Sequence, residues 1–347
     1  MIKRFTAVLL ALALCLSSPA LAADDGYCDV PEDHWSANSV QRAEELGLFY
    51  GTDDGVFGLG QPINRAAFTA ALVRLFHWEE IQPASASFSD VAADRWFYSA
   101  VETAAANGAL SAADHAFRPA DDITREEMAA MLIRGLGYTS LAGTAGSRSS
   151  PFTDVTTNKG FITLAYDLGI IGGVGDGRFN PSGTATREEA ATMLVRVYDQ
   201  LYAQSIRLGQ AGSYQAVQIA APQAVSGDEL PTTPLEPLPA LYDTLRQMKE
   251  SGADMSRAIL RLTGGGVRTI TSGNKIISSD TLTAREVEDL LSMDGVNTYY
   301  SDRYECAYCI YSSGLGEQAT VWFQSPEGMA AKLQLARLFG VTRYFVD

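Results

Sequence analysis

Cationic residues are scarce: 26 lysines and arginines stand against 41 aspartates and glutamates, for a net charge of −15. Residues 1–22 hold two of the basic residues and no acidic one, so without them the balance is 24 − 41 = −17. A chain this acidic lacks the basic footprint that non-specific nucleic-acid binding requires, and no nucleic-acid partner is expected. A local pocket for an anion is still compatible with it, because a pocket's field is set by nearby groups. The three histidines, His34, His77 and His115, show no metal-ligand spacing, and no metal or other cofactor is expected. The turns Asp54-Gly55 and Asp176-Gly177 lack the alternating acidic ligands of a calcium loop. Of the four cysteines, Cys15 falls in the first 22 residues, which leaves Cys28, Cys306 and Cys309. An odd number is no disulfide framework. Cys306 and Cys309 lie three apart in a strand-like, tyrosine-rich stretch, where they face opposite sides, so they read as buried thiols and not as a redox pair. Walker-type phosphate loops and a Gly-x-Ser-x-Gly elbow are absent.

Long apolar runs are missing too, save one near the start. Lys3 and Arg4 precede the apolar stretch Phe5 to Leu16, and Ala20-Leu21-Ala22 has the small-x-small form of a cleavage site. Residues 1–22 therefore read as a secretory signal too short to span a bilayer. The mature chain is expected outside the cytoplasm and free of the membrane. Its oligomeric state is not legible.

What is present is repetition. Three segments open with Cys28-Asp29-Val30, Phe88-Ser89-Asp90-Val91 and Phe152-Thr153-Asp154-Val155. Each runs through a helical stretch to a glycine (Gly47, Gly108, Gly169) and then through a turn to an aromatic (Phe57, Phe117, Phe179). Eight residues beyond that aromatic stands an arginine: Arg65, Arg125 and Arg187. A leucine follows seven further on and a second arginine (Arg74, Arg134, Arg196) nine further on. The glycine suits a helix end, where the backbone turns left-handed. Thr124-Arg125-Glu126-Glu127 and Thr186-Arg187-Glu188-Glu189 read as capping boxes opening a second helix. Each unit is thus a helix–turn–helix with one apolar stripe per helix, and it needs its neighbours to cover that stripe. Trp35 and Trp96 fall at helical positions, which favours the core over a sugar-stacking platform.

The first arginine of each unit follows the helix cap, where the dipole disfavours a cation by a few tenths of a kcal/mol or more. Chemistry alone leaves two readings open. A guanidinium at a helix N-terminus can receive a carboxylate or phosphate. Equally, each arginine can pair with an acidic neighbour in the next repeat.

The pattern F-x-D-V, a glycine-rich turn ending D-G-x-F-x-P, then T-R-E-E, resembles the S-layer homology (SLH) domain of Gram-positive surface proteins over residues 28–200. The third copy matches most fully, with Gly172-Gly173, Asp176-Gly177-Arg178-Phe179-Asn180-Pro181 and Thr186-Arg187-Glu188-Glu189. The resemblance implies a mainly α fold, with the three repeats (26–80, 86–140 and 150–202) packed as a pseudo-threefold bundle. It implies non-covalent binding of a pyruvylated secondary cell-wall polysaccharide, and hence a cell-wall or S-layer location. The arginine that touches the anionic ketal in that family corresponds to Arg125 and Arg187, and to Arg65 by alignment. Gly172, Gly173 and Trp96 complete the expected ligand-binding set, the two glycines being assigned to the turn beside Arg187. Copy one departs from the pattern: Asn64-Arg65-Ala66-Ala67 lacks the glutamate, and Gly58-Leu59-Gly60 replaces the proline. Copy two has Leu110-Ser111-Ala112-Ala113 for the glycine-rich turn, and copy three has no tryptophan. The second and third sites are favoured over the first.

From 203 to 240, Pro222, Pro231, Pro234, Pro237 and Pro239 among small polar residues suggest a semi-extended linker. Residues 241–347 read as a small α+β domain ending strand, helix, strand, a βαβ-like order. Thr320-Val321-Trp322-Phe323, Ala331 to Ala336 and Phe339-Gly340-Val341 resemble the end of family 18 glycoside hydrolases. The catalytic D-x-x-D-x-D-x-E of that family is absent, and 107 residues are too few for a barrel of roughly 250. A wall anchor without hydrolase activity is expected. A degenerate wall-glycan hydrolase or a self-assembling lattice protein are the alternatives.

Overall fold

The computed structural model describes residues 27–111, 114–203, 207–208, 215–217, 235–314 and 316–346. The expected leader, residues 1–22, lies outside the described residues. Each repeat contributes a short first helix and a longer second one. The pairs are α1 (Ala37–Glu45) and α2 (Arg65–Leu75), α3 (Tyr98–Ala106) and α4 (Arg125–Gly135), then α6 (Lys159–Asp167) and α7 (Arg187–Tyr198). A further helix, α5 (Thr139–Gly146), bridges the second and third repeats. The first helices end on Gly47, Gly108 and Gly169 at φ of 66°, 73° and 75°, a left-handed backbone that favours glycine. Both capping boxes form as read: the Thr124 amide donates to Glu127 at 2.9 Å and the Thr186 amide to Glu189 at 3.0 Å.

The repeats close on one another cyclically. The Ile123 amide donates to the Ile63 carbonyl (2.9 Å), Ala185 to Ile123 (2.9 Å) and Ile63 to Ala185 (3.1 Å), a ring of three hydrogen bonds around a pseudo-threefold axis. Packing follows the same order, since α1 lies on α7, α3 on α2 and α6 on α4. A first helix therefore covers the second helix of the preceding repeat and not its own. This explains a departure from the single-stripe expectation. In α2 nearly every residue from Arg65 to Leu75 is buried, because central helices are enclosed on all sides.

The aspartate opening each repeat ties down the turn that ends in phenylalanine. Asp29, Asp90 and Asp154 accept from the amides of Phe57 (2.7 Å), Phe117 (2.7 Å) and Phe179 (2.8 Å), and each takes at least one further amide in the same turn. Partial burial pushes the Asp29 and Asp90 carboxyls up, but the donated amides outweigh it and hold both below their ordinary value. The Phe179 amide does the same for Asp154. A folded pKa below the unfolded one contributes stability that is complete above pH of about 4 and lost as pH falls through the folded values. Thermal melts are therefore expected to drop steeply below about pH 4, and Asp29→Asn with Asp90→Asn and Asp154→Asn should flatten that drop.

Among the described residues the C-terminal part holds α8 (Leu238–Glu250), α9 (Ala284–Leu291) and α10 (Pro326–Leu338) with nine strands. A parallel sheet has the order β1 (Arg207–Leu208), β9 (Arg343–Val346), β3 (Ala258–Leu262), β2 (Gln215–Val217). An antiparallel sheet has the order β5 (Lys275–Leu282), β4 (Gly266–Ser272), β8 (Glu317–Phe323), β7 (Cys306–Gly314), β6 (Asn297–Ser301). Two sequence expectations change here. The stretch read as a linker supplies β1 and β2, two very short strands whose pairing with β9 and β3 no local pattern announces. The order β8, α10, β9 is not a βαβ unit, because β8 belongs to the antiparallel sheet and β9 to the parallel one. The antiparallel sheet is thus an insertion between the paired parallel strands β3 and β9. Leu241, Tyr242, Leu335 and Phe339 share one apolar core with the repeats. The Tyr242 hydroxyl joins the two parts by donating to Asp167, a carboxylate that pairs with Arg148 at 2.8 Å within the repeat part. Cys306 and Cys309 are buried free thiols and Cys28 is exposed; the Cys306 Sγ meets the buried Lys332 Nζ at 3.1 Å. No described helix is long and apolar enough to cross a membrane.

Candidate functional site

The three arginines occupy equivalent seams between repeats. Each is the first residue of its helix, and its Nε donates to the carbonyl of the turn phenylalanine in the next repeat. Arg65 reaches Phe117 (2.7 Å), Arg125 reaches Phe179 (3.0 Å) and Arg187 closes the circle onto Phe57 (2.8 Å). Each guanidinium also lies over that phenylalanine ring, 5.1, 4.9 and 5.1 Å from its centroid.

Their charges are not equivalent. Arg65 Nη1 pairs with Glu127 at 2.7 Å, and the residue is only 6% exposed. Burial pulls its pKa down, countered by Glu127. Arg118 lies on the same carboxylate at 2.5 Å. Arg125 Nη1 pairs with Glu189 at 2.6 Å. Arg187 donates its Nη2 to the Tyr50 carbonyl at 2.7 Å but makes no ion pair among the described residues. Burial lowers its pKa, opposed by the more distant Tyr27, Asp29 and Glu188. The two open readings thus divide. Arg65 and Arg125 take an acidic partner from the next repeat, and Arg187 does not.

Glycine placement also changes. Gly172 and Gly173 stand in the groove of Arg125, not of Arg187, because the arginine reaches into the following repeat: Arg125 Nη2 donates to the Gly172 carbonyl at 3.1 Å. A Cβ on Gly173 would come within 2.7 Å of the Arg178 carbonyl and 2.8 Å of the Phe152 ring, whereas one on Gly172 would meet nothing within 4 Å. Gly173→Ala is therefore expected to destabilise the fold by about 1–3 kcal/mol in denaturant titrations, and Gly172→Ala to be tolerated.

The tryptophans overturn the core expectation. Trp35 is 60% exposed and Trp96 64%. Both precede the helices, which begin at Ala37 and Tyr98, so the helical phase does not apply to them. Trp35 forms a wall of the Arg125 groove, a cavity of about 320 Å³ that also contains Gly172, Phe179, Glu189 and Arg196. Three repeats meet there: the arginine of the second, the turn of the third and the tryptophan of the first. The Arg65 groove, about 270 Å³, has Asn158 of the third repeat among its walls and no tryptophan. Sequence reasoning missed the exposure of Trp35. The signal was present in Ser36 and Ala37, where the helix begins after the indole.

Among the second arginines, Arg74 and Arg196 donate to the carbonyls of Leu48 (3.1 Å) and Ile170 (3.3 Å) in their own repeats, and Arg134 lies over Phe161. Arg74 and Arg196 brace the loop after the first helix of their repeat, and Arg134 packs on the first helix of the next. Among the described residues no group of three or more acidic, histidine or cysteine side chains could hold a metal.

Comparison with known proteins agrees with this architecture. The S-layer homology domain model matches residues 27–69, 87–129 and 151–191. The S-layer protein sap of Bacillus anthracis is 28% identical over 214 residues, which cover 60% of this chain and 26% of that protein. S-layer protein EA1 of Bacillus anthracis is 27% identical over 285 residues, 79% of this chain and 30% of its own length. Exoglucanase XynX of Acetivibrio thermocellus is 29% identical over 167 residues, 47% of this chain and 15% of that enzyme. The chain thus spans less than a third of the length of these relatives. Among solved structures, the spore cortex-lytic enzyme SleL of Bacillus cereus has a TM-score of 0.32 at 15% identity, covering 39% of this chain and 31% of that one. A chitinase of Chromobacterium violaceum has a TM-score of 0.32 at 13% identity, covering 45% and 55%. Scores this low support no conclusion about activity. Residues 27–69, 87–129 and 151–191 of this chain match the S-layer homology domain, and the three units close head to tail into one pseudo-threefold body.

Proposed function

We propose that the chain anchors itself non-covalently to the bacterial cell wall by binding an anionic, pyruvylated secondary cell-wall polysaccharide in the grooves between its repeats. The three S-layer homology domains make it a protein of the cell surface or cell wall. The observation that carries the finer reading is the guanidinium of Arg187, lodged at a helix N-terminus with no carboxylate of its own among the described residues. A ligand carboxylate would find there a cation, the helix dipole and the Phe57 and Phe49 rings. Trp35 in the Arg125 groove offers an exposed indole face to a neutral sugar ring, and by the same cyclic order Trp96 would do so beside Arg187. Within this reading the C-terminal part is a display or interaction module without hydrolase activity, since its sequence lacks the family 18 acid motif.

Sedimentation of the mature protein with isolated sacculi tests the proposal. Binding is expected to be strong with native walls and largely lost after mild acid strips the ketal groups. Equal binding to both preparations would overturn it.

A further inference from the structure

Glu127 and Glu189 each do two things with one carboxylate. Oε2 accepts from the amide of the cap residue of the same helix, at 2.9 Å from Thr124 and 3.0 Å from Thr186. Oε1 takes the arginine of the preceding repeat, at 2.7 Å from Arg65 and 2.6 Å from Arg125. The residue at the third helix position of one repeat thus neutralises the groove before it. By the cyclic order, the groove of Arg187 is answered by α2 of the first repeat, where that position is Ala67. The cap there is made by Asn64 alone, whose Oδ1 accepts from the Ala67 amide at 2.8 Å. In sequence the missing glutamate looks like a defect of the first repeat. In space it falls opposite the third repeat's arginine.

We infer that the residue at this helix position selects which groove takes an anion: Glu127 and Glu189 are built-in competitors for the ligand carboxylate, and Ala67 leaves Arg187 open to it. The inference rests on the anchoring reading above and adds to it an allocation. One groove of the three accepts a free carboxylate, while those of Arg65 and Arg125 are already occupied from within the protein. A ligand carboxylate entering either would have to displace a charge-assisted hydrogen bond of the same kind, with no net gain. The other acidic groups near Arg187 act on it only from beyond ion-pair distance. Asp29 is engaged by three turn amides, and Glu188 by the Gly60 amide at 3.0 Å.

The test uses the full mature chain and native, ketal-bearing sacculi, with affinity read by depletion. Ala67→Glu is expected to weaken binding tenfold or more, and Ala67→Gln, of the same size without the charge, by no more than threefold. Glu189→Gln is expected to tighten binding at least threefold by opening the Arg125 groove. Ala67→Glu also completes a capping box with Asn64, so its melting temperature should be unchanged or higher, which separates lost binding from lost fold. Two results would overturn the inference: Ala67→Glu binding as tightly as the wild type, or Ala67→Gln falling as far as Ala67→Glu. Arg187→Ala binding as the wild type does would instead remove the anchoring reading itself.

Discussion

Arg65→Ala is expected to unfold the protein more easily by about 3 kcal/mol, the lower part of the range for breaking a buried ion pair. Arg65 is enclosed, and its loss strips Glu127 of a partner at 2.7 Å and the Phe117 carbonyl of a donor at 2.7 Å. Burial pushes the Glu127 carboxyl up, but the Thr124 amide and then Arg65 outweigh it and hold the group below the usual carboxylate range. Arg118 still reaches that carboxylate, which keeps the cost from being larger. Arg65→Lys should recover only part of it, because an ammonium cannot serve the carbonyl and the carboxylate in the same planar fork. Denaturant titration measures the loss. Wall binding of the fraction still folded should be unchanged, since this arginine is committed to the seam.

Arg187→Ala should do the reverse. Its two bonds to the carbonyls of Phe57 and Tyr50 are partly exposed to water, so the stability cost should be near 1 kcal/mol. A hydrogen bond to a charged group contributes about 1.5–3 kcal/mol, which predicts a loss of wall affinity on the order of tenfold to a hundredfold. Depletion binding to native sacculi, read beside a thermal melt of the same variant, separates the two arginines. A large binding loss with little change in stability marks Arg187, and a large stability loss with binding intact marks Arg65. The same position in the same motif would then have two roles, decided by whether the next repeat supplies a glutamate.

The local chain was sufficient to determine the units. Offsets kept in triplicate, a threonine three residues before a glutamate and a glycine after each short helix specify where the helices begin and end, because capping and left-handed turns are settled within one turn of backbone. It was also sufficient to place the arginines at helix starts and to single out the first repeat as different. Tertiary structure alone decided what each difference meant. Gly172 serves Arg125 and not the nearer Arg187, Ala67 concerns Arg187 and not Arg65, and Trp35 of the first repeat stands in the groove of the second. All three follow from the cyclic closure at Ile63, Ile123 and Ala185, which carries every arginine across a seam into the following repeat. The strands β1 and β2 were hidden for a related reason, since their hydrogen bonds go to β9 and β3, far along the chain. Contacts made across the chain leave no mark in local periodicity, and in this protein the pairing of the three arginines depends on those contacts.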